Sequence, residues 1–289
     1  MKVLRKAVLP VAGLGTRTLP ATKAIPKELL PIVDTPVLQL LVEELVKAGI
    51  AEIIFVVAPS DSAIQKHFSP DPALEKVLRK KGQIDLAKKI KKISELAKFT
   101  YVKQHEALGD GHAVYQARKS IGDEPFLVVF GDDLIVSKVS ATTQLLKTWA
   151  EKHSAVVGLQ EVLPEEVSRY GIVKPKGDSL EIESFIEKPQ PGKAPSNLAI
   201  VGKYICPPEI FPILEKHPNA SGEIRLIDAL SELVKSQPVH GCVLTGERFD
   251  CGAKLGWLKA NIEFALQHPE TSEAIQSYLR EIVPRLKRD

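Results

Sequence analysis

Short apolar runs alternate with amphipathic stretches along the chain, and the spacing of the apolar positions separates strands from helices. Val3 to Val11 is an apolar run read as a strand. A loop rich in glycine and proline follows. Thr35-Pro36 then signals a helix start, with Thr as the cap and Pro at the first helical position. Val37, Leu38, Leu41 and Leu45 recur at helical spacing until Gly49 stops the helix. Ile53 to Ala58 is continuously apolar, as in a strand buried on both faces. Strand, helix and strand in this order make a βαβ unit, which implies a parallel pair and a right-handed crossover.

The pattern continues in the same way to about residue 162. Ser60 opens another helix, and residues 72 to 98 are helical, divided by Gly82. Phe99 to Lys103, Pro125 to Phe130 and Ser154 to Val162 read as strands, with helices to about Ser120 and over residues 140 to 152 between them. Beyond this point Tyr170 to Lys174, Leu180 to Ile186 and Leu198 to Ile205 are strands joined by short polar turns, which predicts antiparallel additions to the sheet. Helices over 207–216 and 223–235, strands over 239–244 and 247–250, a helix over 254–267 and a last one capped by Thr271 complete the chain. The predicted architecture is α/β: a mixed, mainly parallel sheet flanked by helices, with antiparallel additions in the second half. No repeat or linker interrupts it. One domain is therefore expected over residues 1–268, with a C-terminal helix, 269–289, packed on it or on a neighbouring subunit. The last two helices carry enough apolar positions, Ile262, Phe264, Ile275 and Leu279 among them, for either contact.

Composition narrows the classes. The 289 residues are 44% hydrophobic and 26% charged, which excludes disorder. The 39 basic and 36 acidic residues leave a net charge of +3, too even to indicate nucleic acid. The lysines between Lys76 and Lys92 are read as the solvated side of a helical pair, because no aromatic residues interleave as stacking platforms. Cys206, Cys242 and Cys251 have no metal-site spacing and cannot all pair, so a reducing compartment is expected. No apolar run approaches the ~20 residues that span a bilayer. These features predict a soluble cytoplasmic protein.

Candidate chemistry begins in the stretch from Val8 to Pro31. Gly13 and Gly15 let main-chain N–H groups approach an anion, and Arg17, Lys23 and Lys27 add positive charge beside them. The spacing is neither Gly-x-Gly-x-x-Gly, since position 18 is Thr, nor a Walker A loop. A phosphate loop and an ordinary tight turn both remain open on these residues. Asp132 ends the most apolar strand, where ligands collect in open α/β sheets, and is read as a Mg2+ ligand or as a turn aspartate. Asp250 follows another strand and is read as a second metal carboxylate or a helix cap. Glu187-Lys188-Pro189 is read as a contact to a sugar hydroxyl and a phosphate or as a surface pair. Tyr170-Gly171 either closes over a ligand or sits in the core, and His112 is read as structural. No histidine has metal-ligand spacing, and no nucleophile motif is present.

Together these stretches resemble the sugar-phosphate nucleotidyltransferases. The resemblance lies in Gly13-Leu-Gly-Thr-Arg17, Pro20-Ala-Thr-Lys23 and Pro26-Lys27-Glu28-Leu-Leu-Pro31. It continues in Leu108-Gly-Asp-Gly-His-Ala113, Gly131-Asp132-Asp133, Tyr170-Gly171-Ile-Val, Glu187-Lys188-Pro189, Ser221-Gly222-Glu223-Ile and Phe249-Asp250-Cys-Gly252. These occur in the family's order over about residues 5 to 265. The resemblance implies a Rossmann-like sheet of the nucleotide-diphospho-sugar transferase type and a catalytic domain over 1–268. It is strongest to members that join UTP to glucose 1-phosphate, by Mg2+-assisted in-line attack on the α-phosphorus with release of pyrophosphate. The implied catalytic residues are Arg17, Lys23 and Lys188. Ala12, Gly13, Gly15 and Thr16 would cradle the triphosphate, with Asp132 beside the nucleotide, and Gln104 and Gly109 would contact the uracil. Gly171, Glu187 and Asn197 would hold the glucose, and Asp132 and Asp250 the Mg2+. The implied partners are UTP, glucose 1-phosphate and further copies of the chain as a dimer or tetramer, with neither nucleic acid nor membrane. Four positions depart from the family pattern. Asp110 replaces an apolar residue and bears on nucleotide preference. Arg225 and Ile227 replace Gln and Thr and bear on the sugar side or the subunit contact. Thr18 replaces an apolar residue. A thymidylyl- or other nucleotidylyltransferase, and a binding protein without turnover, are the competing readings.

Overall fold

The computed structural model describes residues 4–177, 179–216 and 222–285. In chain order the elements are β1 (Lys6–Pro10), β2 (Pro31–Ile32), β3 (Thr35–Pro36), α1 (Val37–Lys47), β4 (Glu52–Val57), α2 (Ala63–His67), α3 (Pro72–Lys80), α4 (Ile84–Ser94) and β5 (Lys98–Lys103). Then come α5 (Asp110–Gln116), α6 (Arg118–Ile121), β6 (Phe126–Val129), β7 (Asp133–Val136), α7 (Ala141–Lys152), β8 (Ala155–Glu161), β9 (Gly171–Pro175), β10 (Ile182–Glu187) and β11 (Leu198–Cys206). The last are α8 (Ile210–Lys216), α9 (Leu226–Leu233), β12 (Val239–Val243), β13 (Glu247–Asp250), α10 (Lys254–Gln267) and α11 (Ser272–Ile282).

A nine-stranded sheet in the order β10-β9-β11-β6-β1-β4-β5, with β8 branching from β11 and β12 parallel to β8 beyond it, forms the centre. β5, β4, β1 and β6 are parallel, and β11 joins β6 antiparallel. β9 and β10 extend the sheet as an antiparallel pair. The expected mixed, mainly parallel sheet with antiparallel additions is the observed one.

Side-chain alternation along the central strands builds two cores. Ala7 and Leu9 of β1 face the core shared with α1, α7 and α10, whereas Val8 faces the one shared with α5, α8 and α9. β11 is buried at every position, including Lys203, whose ammonium lies 3.5 Å from Glu44 of α1. Glu44 also accepts hydrogen bonds from the backbone N–H and hydroxyl of Thr142, which ties the start of α7 to α1.

Two local expectations are corrected, and one strand is added. Thr35-Pro36 does not start a helix but pairs with Pro31–Ile32 in a small hairpin, and Pro36 keeps an extended ψ of 142°. The first N–H of α1, that of Val37, donates to Leu30 O at 3.1 Å, so no Thr cap is required. Ser60 precedes its helix by three residues: α2 begins at Ala63, whose N–H donates to Asp61 Oδ1. Residues Asp133–Val136 form a strand, β7, that pairs with β13 in a separate two-stranded ladder. The expected strand start at Val3 lies outside the described residues, as does the end of the last helix at 286–289.

Candidate active site

β1 has β4 on one side and β6 on the other, so the strand order reverses there and the loops leaving β1 and β6 open a crevice at their carboxyl ends. A cleft of about 570 Å³ occupies it. Its wall takes Ala12, Gly13, Leu14, Arg17, Lys27 and Glu28 from the loop after β1, and Gly131 and Asp132 from the turn after β6. Gln104, Gly109 and Asp110 line one side, and Tyr170, Lys188, Arg248 and Asp250 the other.

The loop after β1 folds through three single 3₁₀ turns, Thr16–Thr18, Ala21–Lys23 and Lys27–Leu29. Gly15 makes the bend possible, with φ +61° in the left-handed region. Its carbonyl oxygen accepts from the hydroxyls of Thr22 at 2.7 Å and Thr18 at 3.1 Å. Thr18, polar where the family pattern is apolar, is thus a strut of the loop. A Cβ on Gly13 would meet only Lys27 Cε, at 3.8 Å, so the chain's own packing does not demand glycine there.

The loop's cations meet two carboxylates at one end of the β7–β13 ladder, one beside each strand. Asp250 is registered opposite Asp133, and Cys251 N–H donates to Asp132 O at 2.8 Å, which brings Asp250 beside Asp132. Arg17 bridges them, with Nη1 3.0 Å from Asp250 Oδ2 and Nη2 3.6 Å from Asp132 Oδ2. Lys27 Nζ donates to Asp132 Oδ2 as well. Burial alone would pull the Lys27 ammonium down, but Asp132 and then Glu28 outweigh it and hold its pKa above the ordinary value. Glu28 is 2% exposed, and burial pushes its carboxyl up to about 8, with Lys27 pulling against it and Asp132 adding to it. Its Oε2 is buried without a hydrogen-bond partner among the described residues.

Two carboxylates converging beside a glycine fit a divalent cation. A Cβ on Gly252 would lie 2.3 Å from Asp132 Oδ2, 2.6 Å from Arg17 Nη2 and 3.1 Å from Asp250 Oδ1, so glycine alone leaves that cradle open. Among the described residues no group of three or more His, Cys, Asp and Glu side chains forms a metal cage. A cation here would complete its shell with phosphate oxygens and water, as Mg2+ does.

Beneath this cluster lies a second ion pair of a different kind. Arg248 grips Asp133 with Nε at 2.5 Å and Nη2 at 3.0 Å, and Asp133 Oδ2 accepts a further bond from Gly202 N–H at 2.9 Å. Burial would pull the Arg248 guanidinium down, but Asp133 holds it above its ordinary range. The guanidinium stacks over the Tyr170 ring at 5.3 Å.

On one side of the cleft Gln104 is buried, and its amide nitrogen donates to Gly109 O at 3.1 Å and lies 3.1 Å from His112 Nδ1. On the other, Lys188 is exposed, has φ +45° and stands 3.3 Å from Glu187. Of the residues the family resemblance implies, Ala12, Gly13, Arg17, Gln104, Gly109, Asp132, Lys188 and Asp250 share the cleft wall. Gly15, Thr16, Gly171, Glu187 and Asn197 are not in it, although Gly171 and Glu187 adjoin Tyr170 and Lys188, which are. Lys23 lines a neighbouring hollow of about 340 Å³, across Gly13 and Leu14 from the cleft. Lys27 lines both that hollow and the cleft. In the sequence Lys27 is one of the loop's cations with no role of its own, and Arg248 carries no local signal at all. Ser221 lies outside the described residues.

Comparison with known proteins gives consistent matches. The family described as "Nucleotidyl transferase" matches residues 6–265. A relative in Bacillus subtilis (strain 168), named UTP–glucose-1-phosphate uridylyltransferase, is 46% identical over 283 residues, covering 96% of this chain and 97% of its own. A UTP-bound UGPase from Acinetobacter baumannii superposes with a TM-score of 0.90 at 37% identity, over 97% of this chain and 100% of that one. A UDP-glucose pyrophosphorylase complexed with UDP-glucose superposes with a TM-score of 0.83 at 36% identity, over 92% of this chain and 100% of that one.

Proposed function

The chain belongs to the nucleotidyl transferase family, and from that premise we propose that it transfers a uridylyl group from UTP to glucose 1-phosphate, giving UDP-glucose and pyrophosphate. The observation that carries this reading is the meeting of Arg17, Lys27, Asp132 and Asp250 at the switch point of the sheet. The names of near-full-length relatives support the choice of UTP and glucose 1-phosphate.

The attacking group is a phosphate oxygen of glucose 1-phosphate, already an anion, so no strong base is required. The barrier is its repulsion from the triphosphate and the need for in-line geometry, which cations and orientation both lower. Arg17 and Lys27 exchange their carboxylates for phosphate oxygens. Ala12, Gly13, Gly15 and Thr16 offer main-chain donors, and Lys23, in the adjoining hollow, serves the outer phosphates. Gln104 and Gly109 hold the uracil, and Gly171, Glu187 and Asn197 the glucose. Lys188 meets the sugar phosphate from the opposite rim. A Mg2+ ion held by Asp132 and Asp250 would polarise the α-phosphate and neutralise the departing pyrophosphate.

The same reading places the protein in the cytoplasm, which its three free thiols support. Among the described residues no helix is long and apolar enough to cross a membrane. It also has residues 1–268 as the catalytic domain and the C-terminal helix, 269–289, packed on that domain or on a neighbouring subunit. In support, α11 packs on α10 yet buries no residue completely, and α10 exposes Leu255 and Leu258. The test is pyrophosphate release across a panel of nucleoside triphosphates and sugar 1-phosphates. Release with UTP and glucose 1-phosphate is expected, and another productive pair in its place would overturn the assignment.

A further inference from the structure

Asp110 lies where the two sides of the cleft are joined. Its Oδ1 accepts from Gly111 N–H at 2.7 Å and from Leu226 N–H, the first residue of α9, at 3.0 Å. Ile224 N–H donates to Leu108 O at 2.7 Å, and His112 N–H donates to Ile224 O at 3.1 Å. These contacts sew residues 108–112 to the chain entering α9. The backbones run so close that a Cβ on Gly109 or Gly111 would come within 2.6 or 2.8 Å of Ile224 O. Of the three bonds across this seam, only that of Asp110 comes from a side chain.

The far end of the seam reaches the opposite side of the cleft. Ile227, one residue into α9, sets its Cδ1 2.5 Å from where a Cβ on Gly171 would lie. Gly171 is registered opposite Glu187, which precedes Lys188. Arg225 does not compete for Asp110, because it grips Asp228 with Nε at 2.8 Å and Nη2 at 3.1 Å. One carboxylate thus stands between the turn that carries Gly109 and the hairpin that carries Gly171 and Glu187.

We propose that Asp110 is a positioning residue for the sugar: by holding the start of α9 against the 108–112 turn, it sets Ile227 over Gly171 and so fixes one wall of the sugar subsite. This rests on the transfer reading above. The effect depends on an acceptor at Oδ1, so the amide of Asn can replace the carboxylate. Burial raises the Asp110 pKa, the direction in which loss of charge is tolerated.

The test compares wild type, Asp110→Ala and Asp110→Asn by calorimetric titration with UTP, which reads the nucleotide side, and with UDP-glucose, which reads both. Asp110→Ala should weaken UDP-glucose by ~10-fold and UTP by less than ~3-fold, the scale of one lost hydrogen bond and the shift it permits. Asp110→Asn should recover UDP-glucose to within ~3-fold of wild type. In steady state the Ala variant should raise KM for glucose 1-phosphate and leave kcat nearly unchanged. Equal weakening of both ligands, or a lower melting point with their ratio unchanged, makes Asp110 a structural clasp and overturns the proposal. Ile227→Ala keeps the clasp and should reproduce the loss for UDP-glucose alone; should Asp110→Ala not fold, an unchanged ratio in Ile227→Ala overturns it. Wild type that neither binds UDP-glucose nor releases pyrophosphate is a separate result, which removes the transfer reading and the proposal with it.

Discussion

Asp132 and Asp133 are adjacent in the chain and opposite in use. Asp132, in the wall of the cleft, is held by Arg17 and Lys27, side chains of a loop. Asp133, 5% exposed, spends both oxygens on Arg248 of β13 and on the backbone of Gly202 in β11. In the proposed reaction the first carboxylate trades its partners for a cation while those partners turn to phosphate. The second cannot move without opening the ladder of β7 and β13 and its tie to β11. Carboxylates of the same kind, one residue apart, are assigned to chemistry or to architecture by the mobility of what they touch.

Substitutions should separate the two roles. Asp133→Asn removes one partner of a buried pair and should cost ~3–5 kcal/mol of stability, read by urea unfolding, while the folded fraction keeps most of its activity. Asp132→Asn should instead lower kcat ~10²-fold or more, read by pyrophosphate release at saturating Mg2+, with an unfolding midpoint close to that of wild type. The reverse pattern would end the distinction. Lys27→Ala belongs with Asp132 and should lose a similar ~10²-fold in rate, whereas Lys23→Ala, outside the cleft wall, should lose ~10-fold or less. A larger loss for Lys23→Ala would shift the catalytic cation to the neighbouring hollow.

The smallest effect is a slope with pH. Burial lifts the Glu28 carboxyl from an ordinary 4.5 to about 8, so across that window the folded chain keeps a proton that the unfolded chain has released. The stabilisation is complete below about pH 4.5 and is lost as pH rises through 8. Glu28→Gln cannot titrate, so its stability relative to wild type should grow between pH 5 and 8.5. Parallel unfolding midpoints across that range would remove Glu28 from the titrating groups of the cleft.

The sheet was legible in the sequence because its central strands are continuous apolar runs, and Ile53 to Ala58 and Pro125 to Phe130 can hardly be anything else. β7 was not, because Asp133-Leu-Ile-Val is short, opens on a charged residue and finds its partner more than a hundred residues later in β13. The helix signal at Thr35-Pro36 misled for a related reason. Proline suits a hairpin edge as well as a helix start, and only the Pro31–Ile32 pairing decides between them. In the site, the loop's glycine and cations could be read locally. Which lysine enters the cleft could not, since Lys23 and Lys27 share one loop and are separated by its 3₁₀ turns. Asp110 stood out in the sequence for its charge near the nucleotide. Its partners on α9 depend on a tertiary contact that no local pattern encodes.

The partner-switching of β11 has a consequence for the chain as it is made. β6 lies between β1 and β11, and β8 and β9 also find partners on β11. Until residue 206 has left the ribosome, β6 presents one bare apolar edge and the central parallel strands have no antiparallel wing. Such an edge invites pairing with other chains. A nascent chain halted before β11 should therefore occupy chaperones heavily, and one extended past Cys206 should release them, because a single fully buried strand closes three open edges at once.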